Sequence, residues 1–129
     1  MKHTWLSMTI LSLSLALLSG CQQQPAKKVT ADKVEQVAAL IASAEWLRDH
    51  CQRSDIPPRS VVEETATIMA KERGWDISGT FQQDVNNAVQ RRYLAISKDT
   101  LVNNQKCVQL NQVAAPFIHQ ITALSASRK

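Results

Sequence analysis

Between Val34 and Leu124, apolar side chains return every third or fourth residue in four separate stretches, and that periodicity confines the chain to packed amphipathic helices. The first stretch starts at Thr30 or Asp32, either of which can cap a helix, and continues to about Gln52. At 100° per residue its Val34, Val37, Leu40, Ile41, Ala44, Leu47 and Cys51 fall within one arc of roughly 140°. The second follows the stiff Ile56-Pro57-Pro58 turn and opens on Ser60-Val61-Val62-Glu63, a capping-box pattern. Its apolar set is Val61, Val62, Ala66, Ile68 and Met69, and Arg73-Gly74-Trp75 closes it. There Gly74 can take the left-handed conformation while Trp75 folds back on the last turn.

Thr80-Phe81-Gln82-Gln83 opens the third stretch in the same way as the second. It ends near Lys98 and carries Phe81, Val85, Ala88, Val89, Tyr93 and Ile96 on one face. The fourth starts between Asp99 and Asn104 and reaches about Ser125, with Cys107, Leu110, Val113, Ala114, Phe117, Ile118, Ile121 and Leu124 on one stripe. Pro116 inside it cannot donate to the Gln112 carbonyl, which predicts a kink, or else a break at Ala115.

Four helices with short connections predict an all-α, four-helix up-down bundle. Three Gly and four Pro in 129 residues are too few for the turns of an all-β domain, and 44% apolar with 20% charged residues suits one soluble globular unit.

The bundle is expected over residues 30–129 only. Met1-Lys2-His3 gives a positive start, and the apolar run from Trp5 to Leu18 is too short to span about 30 Å of hydrocarbon, so residues 1–20 read as a secretory signal. The run ends in Leu18-Ser19-Gly20-Cys21, which resembles a bacterial lipoprotein signal. That resemblance implies cleavage before Cys21 and acyl chains on its thiol, the alternative being an unmodified cysteine after an ordinary signal. Each buried methylene contributes about 0.8 kcal/mol, so several chains form an essentially permanent anchor. Gln22 in place of the Asp that retains lipoproteins at the inner membrane implies the periplasmic face of the outer membrane. Residues 21–29, polar and containing Pro25, read as a flexible tether.

The formal net charge of +4 comes from scattered basic residues on an exported chain, which argues against a nucleic-acid partner. With Cys21 taken by lipid, Cys51 and Cys107 remain as an even pair in an oxidising compartment, both on core-facing arcs. A disulfide between them is the natural reading, contributing about 4 kcal/mol by loop-closure entropy. The alternative is a thiol or metal site at Asp49-His50-Cys51, but neighbouring helical residues point about 100° apart, and His119 lies on another helix. No Gly-rich phosphate loop, HExxH or Gly-x-Ser-x-Gly pattern is present, so nothing in the sequence supports catalysis or a cofactor beyond the lipid on Cys21. Trp46 stands about 170° from the centre of the first helix's arc, either exposed as a binding anchor or covered by a loop such as Ser54 to Arg59.

Three separated motifs carry a family resemblance. They are Leu47-Arg48-Asp49-His50-Cys51-Gln52-Arg53-Ser54-Asp55-Ile56-Pro57, then Arg73-Gly74-Trp75, then Cys107 followed by Asn111 and Ala115-Pro116-Phe117. In that order, behind a lipoprotein signal, they resemble the PulS/OutS family of type II secretion pilotins. The resemblance implies a four-helix bundle with a Cys51–Cys107 disulfide and no enzymatic activity. It also implies binding to the C-terminal segment of the secretin, the outer-membrane channel, which is escorted there through the lipoprotein-sorting machinery. The segment is expected to fold into a helix within a hydrophobic groove. Residues able to line that groove are Val37, Leu40 and Ile41 on the first helix, Val89, Tyr93 and Ile96 on the third, and Ile118, Ile121 and Leu124 on the fourth. A second reading is another envelope binding lipoprotein, such as a hydrolase inhibitor or an exclusion factor.

Overall fold

A computed structural model of the chain describes residues 26–127, with side chains placed from Ala31 onward. It contains four helices: α1 (Ala26–His50), α2 (Arg59–Glu72), α3 (Phe81–Lys98) and α4 (Asn103–Ala126), with no strand among the described residues. The expected four-helix, all-α architecture is therefore present. The expected Cys21 anchor and the expected signal over residues 1–20 lie outside the described residues.

Helix α1 is the axis of the bundle. It packs against α2, α3 and α4, and α2 also packs on α4. The expected single core arc accounts for only part of this burial. Val34, Val37, Ile41, Ala44 and Leu47 are buried as anticipated, but so are Ala38, Ala42, Ser43 and Trp46. Glu35, Ala38, Ala42 and Asp49 follow one another at helical repeats, and α3 lies along that stripe. Its Arg91 and Arg92 reach Glu35 at 3.0 and 2.8 Å, while the adjacent Tyr93 reaches Asp49 at 3.0 Å. Two neighbours on α3 thus contact opposite ends of the α1 stripe, so α3 crosses α1 obliquely. Small side chains at the crossing, Ala38 and Ala42 with Ala88 of α3, all fully buried, permit that close approach.

Helix α2 runs antiparallel to α1. Arg59 at its start bonds Glu45 at 3.4 Å, whereas Trp75 just beyond its end lies beside Lys33, 5.5 Å from ammonium to ring centroid. The expected Ser60–Glu63 capping box does not form. The N-cap falls two residues earlier, at Pro58, with no side-chain cap; the Pro58 carbonyl takes the Val61 and Val62 amides. Glu63 is drawn instead to Arg59 at 2.6 Å, one turn back. The predicted stop does form. Gly74 has φ of 71°, its amide bonds the Lys71 carbonyl at 2.8 Å, and the Trp75 amide bonds the Ala70 carbonyl at 3.1 Å, the two bonds of a Schellman motif.

At α3 the expected capping box is also replaced. Thr80 is the N-cap, but its hydroxyl donates to Asp84 Oδ2 at 2.8 Å and accepts no backbone amide as a cap would. Helix α4 passes unbroken through Pro116, so the break considered at Ala115 does not occur. Gln112 and Pro116 are both exposed, which lets solvent serve the carbonyl that Pro116 cannot.

The start of α1 also departs from expectation. Residues 26–29, within the stretch read as tether, are helical, because Ala26, Lys27 and Lys28 are good helix formers and no Gly or Pro occurs between Pro25 and Pro57. Among the described residues the apolar core extends from Val34 to Ile121.

Candidate functional site

The end of α1 is fixed before anything else around it. Cys51 and Cys107 are disulfide-bonded, with Cα atoms 5.6 Å apart, so the close of α1 is clamped to the start of α4 and the two helices run antiparallel. That bond leaves no thiol at Cys51 for the alternative reading. Gln52 follows in a left-handed conformation, φ 57°, and turns the chain sharply toward Ile56, which is fully buried. Asn103 Nδ2 adds a bond to the His50 carbonyl at 3.1 Å, and the Arg53 guanidinium, paired with Asp55 at 2.8 Å, also bonds Asn111 of α4.

Beside this clamp stands an aromatic cluster. Trp46 is 6% exposed, stacked on His50 with centroids 4.0 Å apart and tilted against Tyr93 at 5.3 Å. It is therefore covered, but by Tyr93, His50 and Lys106 rather than by the Ser54–Arg59 loop. The Tyr93 hydroxyl donates to Asp49 and so accepts from His50 Nε2, each at 3.0 Å. Burial first, then the bond to Asp49, pushes the Tyr93 phenol up to about 12, so it keeps its proton and its donor role at neutral pH.

Trp46 touches α3 through Tyr93 and α4 through Lys106, whose ammonium lies 5.3 Å from the indole centroid. The face of α1 holding Trp46 therefore runs between α3 and α4. Ala39 and Ser43 share that face at helical spacing, and their small side chains keep the floor low. Helices α3 and α4 both rest on α1 but make no comparable contact with each other. On α4, Lys106, Leu110, Val113, Phe117 and Leu124 recur every three, four or seven residues, so Val113 and Leu124 lie on the Trp46 side. Val113 is 72% exposed, and Leu124 is half-buried. On α3, Tyr93 and Ile96 are half-buried and Leu94 is exposed. Helices α3 and α4 thus flank an apolar-edged strip of α1, the candidate trough for a partner.

Of the nine residues expected to line a groove, Val37, Ile41, Val89, Ile118 and Ile121 are instead buried in the bundle's own core. They fall at the centre of the helix contacts, where periodicity marks burial without saying what does the burying. Leu40, Tyr93, Ile96 and Leu124 keep partial exposure, the first three of them also packing against the core. Sequence reasoning missed Val113 as a trough residue and Lys106 altogether. A lysine in phase with an apolar stripe was the signal that could have found it.

The type II secretion system pilotin lipoprotein family (PulS_OutS) matches residues 18–119. The chain is 34% identical over 118 residues to the pullulanase secretion protein PulS of Klebsiella pneumoniae, covering 84% of this chain and 90% of that one. It is 29% identical over 111 residues to pilotin OutS of Dickeya dadantii (strain 3937), covering 78% and 82%. A solved pilotin/secretin peptide complex superposes with a TM-score of 0.66 at 28% identity, covering 76% of this chain and 97% of the solved one.

Proposed function

The chain belongs to the type II secretion pilotin lipoprotein family, and from that premise we propose that it binds the C-terminal segment of a type II secretin and targets it to the outer membrane for channel assembly. The observation carrying this reading is the trough: two helices set apart on a third, edged by Leu40, Tyr93, Ile96, Val113 and Leu124, suit an amphipathic helix laid into the gap. The likeness to a pilotin/secretin peptide complex supports the same mode of capture. The work is binding rather than catalysis, in keeping with a family of non-enzymatic secretion lipoproteins.

Acylated Cys21 holds the protein on the periplasmic face of the outer membrane, and the lipoprotein-sorting machinery carries pilotin and secretin there together. With α1 starting at Ala26, few residues separate that anchor from the bundle, so the captured segment travels close to the lipid surface. The secretin tail is disordered when free and pays its ordering entropy on docking, which keeps capture reversible once the channel assembles.

The test pairs two measurements. A lipid-free domain starting at Gln22 is titrated with a peptide of the cognate secretin's C-terminus, with the helical signal expected to rise to saturation. In cells, Cys21→Ser is expected to keep peptide binding while secretin subunits leave the outer membrane. Unchanged secretin distribution in that variant refutes the targeting role, and a flat titration refutes the capture.

A further inference from the structure

Lys106 is the one charged side chain among the described residues that is buried, at 8% exposure. Its ammonium lies over the Trp46 ring at 5.3 Å, and among the described residues it has no carboxylate or other acceptor. Trp46 Nε1 is buried without a hydrogen-bond acceptor, but the Lys106 nitrogen is not buried to that degree. The Lys106 stem is thus packed over the Trp46 face while its ammonium keeps a solvent-facing edge, a cation without an acidic partner at the Trp46 end of the trough. An indole face contributes less to holding an ammonium than a carboxylate would. The neighbouring carboxylate, Asp49, is already engaged by the Tyr93 hydroxyl.

We propose that Lys106 receives a carboxylate side chain of the docked secretin segment and thereby fixes which way that segment lies in the trough. This rests on the secretin reading above and deepens it. The apolar edges formed by Val113 and Leu124 give grip without direction, because an amphipathic helix presents a similar stripe in either orientation. A cation without an acidic partner at the Trp46 end breaks that symmetry, since Arg91 and Arg92 at the other end are already paired with Glu35. A guest placing Asp or Glu there pairs with the ammonium, whereas the reversed guest covers it with apolar surface.

The test is a double-mutant cycle on the lipid-free domain and a peptide of the cognate secretin's C-terminus, each acidic residue of the peptide being changed in turn to Asn or Gln. Lys106→Met is expected to weaken binding by about tenfold or more at low salt, with Lys106→Arg keeping most of the affinity. One peptide carboxylate is expected to show the same loss against the wild-type domain and none further against Lys106→Met. The thermal midpoint of the free Lys106→Met domain is expected to stay level or rise, since Met keeps the apolar stem and no ion pair is lost; a merely structural lysine would lower it. Equal affinity of Lys106→Met and wild type, or losses that simply add for every peptide, overturns the pairing alone. Absence of binding by the wild-type domain overturns the secretin reading and the pairing together.

Discussion

Cys51 and Cys107, 56 residues apart in the chain, bring the end of α1 and the start of α4 to a Cα separation of 5.6 Å. The bond restricts the unfolded chain over the whole of α2 and α3. Replacing both residues by Ala is expected to lower stability by about 2–4 kcal/mol, read as a drop in the urea midpoint with little change in helical content.

The residue after that clamp carries strain of its own. Gln52 holds φ of 57° without being glycine. Gln52→Gly is expected to raise stability by about 0.5–1 kcal/mol, because the relief of left-handed strain exceeds the added entropy of the unfolded chain, and Gln52→Val is expected to lower it by about 1 kcal/mol or more. Thermal unfolding of the two variants checks the opposite signs.

The crossing of α3 on α1 depends on small residues. Ala42 is fully buried on the α1 stripe between Glu35 and Asp49. Ala42→Leu is expected to destabilise the domain by about 1–3 kcal/mol through overpacking, although it makes the sequence more hydrophobic. Denaturant midpoints decide this.

Those same alanines show where the sequence was legible and where it was not. Gly74 and Trp75 announced the end of α2 because the left-handed position has a chemical requirement that one residue type meets well. The cysteine pair was readable because an oxidising compartment and two core-facing arcs left few other uses for it. The burial of Ala38 and Ala42 was not readable, since alanine is small enough for either face and only the approach of α3 decides. Both capping boxes failed because Arg59 and Asp84 offered the side chains of Glu63 and Thr80 other partners. At the trough, periodicity identified buried positions but could not separate core from docking surface, so five of the nine expected residues went to the core.

Charge pairing at the crossing gives a pH dependence. The Arg92 guanidinium first, then Arg91, holds the Glu35 carboxyl below its usual range, against an opposing effect of burial. A carboxyl lowered in the folded state contributes stability above its unfolded pKa and loses that contribution as the pH falls through the folded value. Both arginines are largely exposed, with side-chain accessibilities of 65% and 47%, so screening keeps the effect below about 1 kcal/mol. Glu35→Gln is expected to be slightly less stable than wild type at neutral pH and indistinguishable from it at strongly acid pH. Urea midpoints across that range, with and without high salt, measure it.

Capture of an unfolded tail between α3 and α4 is tested most directly by backbone amide chemical shifts of the lipid-free domain with and without the cognate secretin's C-terminal peptide. The account predicts perturbations gathered on Ala39, Leu40, Ser43, Tyr93, Ile96, Val113 and Leu124, with the α2 surface around Val61 and Glu64 quiet. Shifts centred on α2 and the Pro57–Arg59 turn, or none at saturating peptide, would contradict it.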